Sequence, residues 1–118
     1  CPHIYYDLVK SHFTGQERIL RAIARATAAM HEYGYLHKDY SRGNILFKET
    51  EQDVKVEIID LNRIRFREIG MEEGCKNFER LPGTHEMFAV LADEYAKTRG
   101  YDADECFKLI VKFNTAHL

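Results

Sequence analysis

The chain's 118 residues are 45% hydrophobic and 31% charged, enough apolar content for one domain, residues 1–118, with a buried core. The longest apolar runs are far too short for a membrane span, and no signal peptide is visible. A formal net charge of −2 supplies no global basic field of the kind that advertises nucleic acid or a membrane surface, and no nucleic-acid partner is expected.

In chain order, Ile4, Tyr5, Leu8, Val9 and His12 or Phe13 recur at helical spacing and predict a short helix over residues 4–13. Thr14-Gly15-Gln16-Glu17 has the form of a capping box, in which the hydroxyl accepts from the third amide while Glu17 reaches back. The helix it opens carries Ile19, Ile23, Ala26 and Met30 on one stripe, with Ala22, Ala24, Ala28 and Ala29 allowing close packing around it. Arg18, Arg21 and Arg25 fall on other faces and are expected in solvent. His31 is expected to pack at the helix end, and Gly34 to stop the helix by taking the left-handed conformation.

Beyond a polar loop, Ile45–Phe47 and Val54–Leu61 read as two strands of a β-hairpin joined by an exposed link, Lys48-Glu49-Thr50-Glu51-Gln52-Asp53. Residues 62–67 alternate, which predicts an extended stretch with Ile64 and Phe66 inward and Arg63, Arg65 and Arg67 outward. Those arginines are either a cationic strip for a phosphorylated acceptor or an ordinary solvated face. Residues 68–83 read as mostly irregular, with a short helical piece near Cys75–Leu81. Thr84 caps a helix bearing Met87, Phe88, Leu91 and Tyr95, which ends before Gly100. Asp102-Ala103-Asp104-Glu105 opens a last helix with Cys106, Phe107, Ile110 and Val111 inward. The expected fold class is α+β, mainly helical, with helices around one small hairpin. Cys1, Cys75 and Cys106 are odd in number and lack metal-ligand spacing, so they read as free thiols of a reducing compartment.

The chemistry concentrates in His37-Lys38-Asp39-Tyr40-Ser41-Arg42-Gly43-Asn44, which lies between the long helix and the first apolar strand, and in Asp60 at the end of the second. One acid that can orient a hydroxyl, with an amide and a carboxylate that can hold a cation, is the set that phosphoryl transfer requires. The bland alternative is a turn rich in Asp, Ser, Gly and Asn, followed by a strand-end aspartate that caps the next turn.

"MHEYGYLHKDYSRGNILF" and "VEIIDLN" together resemble the catalytic half of the protein-kinase-like fold: the end of its long helix, its catalytic loop and the strand leading to its metal-binding Asp. Within that superfamily the sequence is most similar to the bacterial lipopolysaccharide kinases, the Kdo and heptose kinase family. There an apolar run ends in Asp-Leu, and a short Asn-x-x-Arg-Leu piece, here within "KNFERL", follows. The similarity covers about residues 15–85. It implies a kinase-like C-terminal lobe whose hairpin bears the catalytic and metal residues. Asp39 would be the catalytic base, and Asn44 and Asp60 would hold magnesium ions that bridge the phosphates of ATP. Leu46 and Ile59 would line the nucleotide site, His37 would support the catalytic loop, and Arg42 would contact a phosphate or substrate.

The resemblance has departures. Lys38 stands where regulated protein kinases have Arg, Ser41 where many have Lys, and Asn62 where Asp-Phe-Gly has Gly, and no Ala-Pro-Glu follows. Upstream of His37 there is no Gly-rich loop and no Val-x-x-Lys strand. With Cys1 rather than Met first, the chain is expected to be a piece of a longer protein that lacks the ATP-grasping lobe and is inactive alone. The expected activity of the parent is transfer of the γ-phosphoryl of ATP to a sugar hydroxyl of lipopolysaccharide core or a similar glycolipid. That would be a cytoplasmic reaction at the inner face of the inner membrane, with peripheral membrane association. Self-association is expected through the lobe face around Leu46 and Ile59. Two other readings stay open: an atypical protein or small-molecule kinase, and a pseudokinase-type interaction module.

Overall fold

The computed structural model describes residues 3–4, 16–37, 40, 45–59, 63–65 and 68–117. In chain order these form β1 (His3–Ile4), α1 (Gln16–Glu32), β2 (Tyr35–His37), β3 (Ile45–Glu49), β4 (Val54–Ile58), β5 (Arg63–Arg65), α2 (Met71–Lys76), α3 (His85–Arg99) and α4 (Ala103–His117). The fold is α+β and mainly helical.

Helix α1 is the spine. Ile19, Leu20, Ala22, Ile23, Ala24, Thr27, Ala28 and His31 are all buried, because the helix packs on α3 on one side and on the hairpin on the other. The buried surface is therefore wider than the single expected stripe: Leu20 joins it, Ala26 and Met30 are only half-buried, and Ala29 is exposed. Truncating a side chain as enclosed as Ile23 costs about 2–5 kcal/mol. The arginines expected in solvent have partners. Arg21 reaches across to α3, 2.7 Å from Asp93 and 3.0 Å from Glu94, and Arg25 lies 3.4 Å from Glu94. Arg18 donates to the Thr50 carbonyl at the hairpin turn (3.0 Å). A long guanidinium stem can lie along an apolar helix face while its head finds acids on the neighbouring element. The Arg21 hydrogen bond holds the Asp93 carboxyl below the usual carboxylate range.

The helix ends follow their local chemistry. Gly34 (φ 89°) and Gly100 (φ 77°) take the left-handed conformation that stops α1 and α3. Thr84 accepts from the Met87 amide at the start of α3 (3.2 Å), and Asp102 accepts from the Glu105 amide at the start of α4 (2.9 Å). Thr14 lies outside the described residues. In α4, Cys106 and Ile110 are fully buried, whereas Phe107 and Val111 are half-buried.

The expected hairpin forms as β3–β4, and among the described residues it belongs to one of two small sheets. The hairpin β3–β4 gains β1 at its edge, in the order β1-β3-β4, with His3 opposite Phe47 and Ile4 opposite Leu46. Ile4 is therefore extended rather than the start of a helix, because the open edge of β3 offers its backbone a ladder. Residues 5–13 of that expected helix lie outside the described residues. The strands also differ in extent: β3 runs to Glu49, β4 stops at Ile58, and the turn is only Thr50–Asp53, closed by the Thr50 amide on the Asp53 carbonyl (2.8 Å). The second sheet pairs β2 with β5, matching Leu36 to Ile64 and His37 to Arg63. The inward and outward side chains expected at residues 63–67 lie outside what is described. The short helix sits earlier than expected, at Met71–Lys76, with Glu72 and Glu73 in its first turn favouring that start. Cys75 and Cys106 are buried free thiols where α2 meets α4, and Cys1 lies outside the described residues. Among the described residues no helix is long and apolar enough to cross a membrane.

Candidate functional site

The hairpin has two faces, and its register sorts them. Directly opposed residues share a face, so Ile45 with Ile58 and Phe47 with Val56 turn toward α1. Leu46 with Glu57 and Lys48 with Lys55 turn away from the core. Burial agrees: Ile45 and Phe47 are enclosed, Leu46 is half-buried, and Lys48, Lys55 and Glu57 are exposed. Leu46, Phe47, Lys48, Lys55, Val56 and Glu57 line a concavity of about 400 Å³ against the hairpin. Leu46 thus meets open space between charged neighbours, and the outer face is not an unbroken apolar surface. Ile59, half-buried, follows the end of β4.

His37 is the last residue of β2 and is 1% exposed. Its ring Nε2 lies 3.1 Å from the Ile59 carbonyl, and since a carbonyl only accepts, Nε2 carries a proton and donates. The residue that leads into Asp39 in sequence is thereby tied to the residue that precedes Asp60. Asp39, Arg42, Asn44 and Asp60 themselves lie outside the described residues.

Tyr40, within the same loop, is 1% exposed. Its hydroxyl is 2.5 Å from Thr27 Oγ1, whose own proton goes to the Ile23 carbonyl (2.8 Å), so Tyr40 is the donor. Burial pushes the Tyr40 phenol above its ordinary range, so it stays protonated and keeps donating. Its ring stands in a file of aromatic rings: His37, tilted against it, at 5.4 Å between centroids, then edge contacts to Phe78 at 6.3 Å and from Phe78 to Tyr95 at 5.4 Å.

Asn77, directly after α2, holds His37 from the other side. Its Nδ2 donates to the His37 carbonyl (2.7 Å), and its Oδ1 accepts from the His37 amide (3.2 Å). The side-chain amide does for His37 what a neighbouring strand would do. This orientation also fixes His31: Nε2, 2.9 Å from the same Oδ1, must donate. His31 Nδ1 then accepts from the Tyr95 hydroxyl (2.6 Å), which in turn accepts from Arg99 (2.9 Å). Arg99 is anchored by the Ile69 carbonyl (2.7 Å) and Glu32 (3.0 Å). Burial is the largest influence on His31 and brings its pKa down to about 4, so the ring is neutral at pH 7.

Neither Asn77, Tyr40, Thr27 nor Arg99 is marked as functional by spacing or composition. Asn77 was visible only as the first residue of the Asn-x-x-Arg-Leu piece, with no indication that it reaches back to His37. A family model described as the lipopolysaccharide kinase (Kdo/WaaP) family matches residues 5–101.

Proposed function

This chain belongs to the lipopolysaccharide kinase (Kdo/WaaP) family, and we propose that it carries the catalytic loop and metal-binding aspartate of an ATP-dependent kinase. Asp39 accepts the proton of the attacking hydroxyl and orients it toward the γ-phosphoryl of ATP. Asn44 and Asp60 offer an amide oxygen and a carboxylate, a donor set suited to a hard cation such as magnesium. When bound, that ion neutralises the phosphate charge that grows during transfer. Leu46 and Ile59 form an apolar floor for the nucleotide base, and Arg42 supplies positive charge beside the transferring group. The chain acts as a kinase-like C-terminal lobe. The acceptor is a sugar hydroxyl of lipopolysaccharide core, which puts the reaction in the cytoplasm at the inner face of the inner membrane.

The observation that supports this reading most is the bond from His37 Nε2 to the Ile59 carbonyl (3.1 Å), which ties the approach to Asp39 to the approach to Asp60. Pairing of Ile45, the residue after Asn44, with Ile58, two before Asp60, supports it further. The test is ATP binding to the full-length protein with magnesium varied. Asp60→Ala is expected to weaken magnesium-dependent binding by at least about tenfold. Binding with the same magnesium dependence in both proteins would remove Asp60 from the site.

A further inference from the structure

We propose that Asn77 is a positioning residue for phosphoryl transfer: by gripping both backbone groups of His37, it holds the end of β2, which leads in sequence to Asp39, against Ile59, which precedes Asp60. The inference rests on the kinase reading above and adds to it a residue distant in sequence from either motif.

The grip is two-sided and chemically selective. His37 presents one donor and one acceptor to Asn77, and a carboxamide matches both at once (3.2 and 2.7 Å). An aspartate could satisfy the amide but would set a second oxygen against the His37 carbonyl. The hold continues beyond the main chain, because the His37 ring bonds the Ile59 carbonyl (3.1 Å). One side chain therefore acts on the end of β2 and on Ile59 through a single buried residue.

Asn77 is itself held rigidly. Its amide bonds back to Glu73 and Gly74 at the end of α2 (3.3 and 3.1 Å). The segment that follows is pinned from α4 by Asn114, whose Nδ2 reaches the carbonyls of Glu79 (3.0 Å) and Leu81 (2.7 Å). His31 Nε2 gives Oδ1 a second donor (2.9 Å), and His31 is locked in that tautomer by Tyr95 and Arg99. Gly74 lies so close to Tyr95 and His31 that a Cβ there would fall 3.2 Å from His31 Nδ1, so the pair packs directly beneath α2. A side chain supported on this many sides can hold its target within the fraction of an ångström that transfer geometry needs.

The experiment compares full-length wild type, Asn77→Ala, Asn77→Asp and Asp39→Asn. It measures thermal melting, kcat and KM for ATP and for a lipopolysaccharide acceptor, and exchange of the His37 ring Nε2–H by NMR. Asn77→Ala is expected to lower kcat per folded molecule by roughly 10²-fold while acceptor KM changes little, the split that marks lost positioning. Its His37 Nε2–H should also exchange faster. Asn77→Asp, which keeps the acceptor for the His37 amide and for His31, is expected to lose roughly tenfold. It carries the test if the alanine variant does not fold. A folded Asn77 variant with kcat within about twofold of wild type, beside an inactive Asp39→Asn, would overturn the positioning role and leave the kinase reading standing. Full activity in Asp39→Asn would overturn both.

Discussion

Lowering the pH from 7 to 4 should strip stability from this protein through one residue, His31. The ring is 1% exposed and both nitrogens are committed: Nε2–H to Asn77 (2.9 Å), and Nδ1 accepting from Tyr95 (2.6 Å). A second ring proton would need an acceptor where Tyr95 now donates, and Tyr95 already accepts from Arg99 (2.9 Å). Burial first, and then the charge of Arg99, bring the pKa from 6.5 to about 4, while the Asn77 bond and Glu32 pull the other way. A folded-state pKa below the unfolded one means that the unfolded chain binds the extra proton. His31 therefore contributes its stability in full above pH 6.5 and loses it as the pH falls toward 4. At about 1.4 kcal/mol per pKa unit, the loss is roughly 2 kcal/mol by pH 5 and roughly 3 kcal/mol by pH 4. The assay is denaturant unfolding across that range for wild type and His31→Gln, whose amide can still donate to Asn77 but cannot titrate. The difference between the two curves isolates His31 from the acids, Asp93 among them. Parallel curves from pH 7 to 4, or an NMR titration of His31 near 6.5, would show that the buried ring takes up its second proton without cost to the fold.

Gly74→Ala would push a methyl into Tyr95 Oη and to 3.0 Å from Tyr95 Cζ. It is expected to destabilise by roughly 1–3 kcal/mol, read as a lower melting temperature, and an unchanged transition would show that α2 is free to lift. Thr27→Val leaves the buried Tyr40 hydroxyl without the Oγ1 that accepts from it at 2.5 Å, at about 1–3 kcal/mol. Adding Tyr40→Phe should recover part of that loss. A double variant no better than Thr27→Val would mean that the hydroxyl finds another acceptor.

The elements that depend on local chemistry were legible in the sequence. The stop at Gly34, the cap at Thr84 and the cap at Asp102 each fall where residue type alone places them, and the apolar runs around Ile45 and Val54 do form the hairpin. Strand β5 falls within the extended stretch expected at residues 62–67, but β1 and β2 were not legible, because each exists only by virtue of the edge it joins. Ile4 read as helical until Leu46 stood opposite it. Helix α2 was displaced because six residues are too few to show a period, and Glu72 and Glu73 decide its start. At the site, the motif around His37 raised the expectation of phosphoryl transfer, but nothing in the sequence pointed to the residues that brace His37 and Tyr40. Asn77 binds His37 across forty positions, and Tyr40 reaches Thr27 across the helix-to-strand turn. Such long-range pairings leave no periodic trace. Arg21 misled for the same reason: its partners Asp93 and Glu94 lie on another helix.

If the segment from His37 to Asp60 carries out phosphoryl transfer, turnover by the full-length protein must depend on the Asp39 carboxylate, and Asp39→Asn removes it. With labelled ATP, magnesium and a lipopolysaccharide acceptor, transfer should fall by about 10²-fold or more while the melting temperature stays at the wild-type value. Equal transfer by the two proteins would mean that Asp39 takes no part in the reaction.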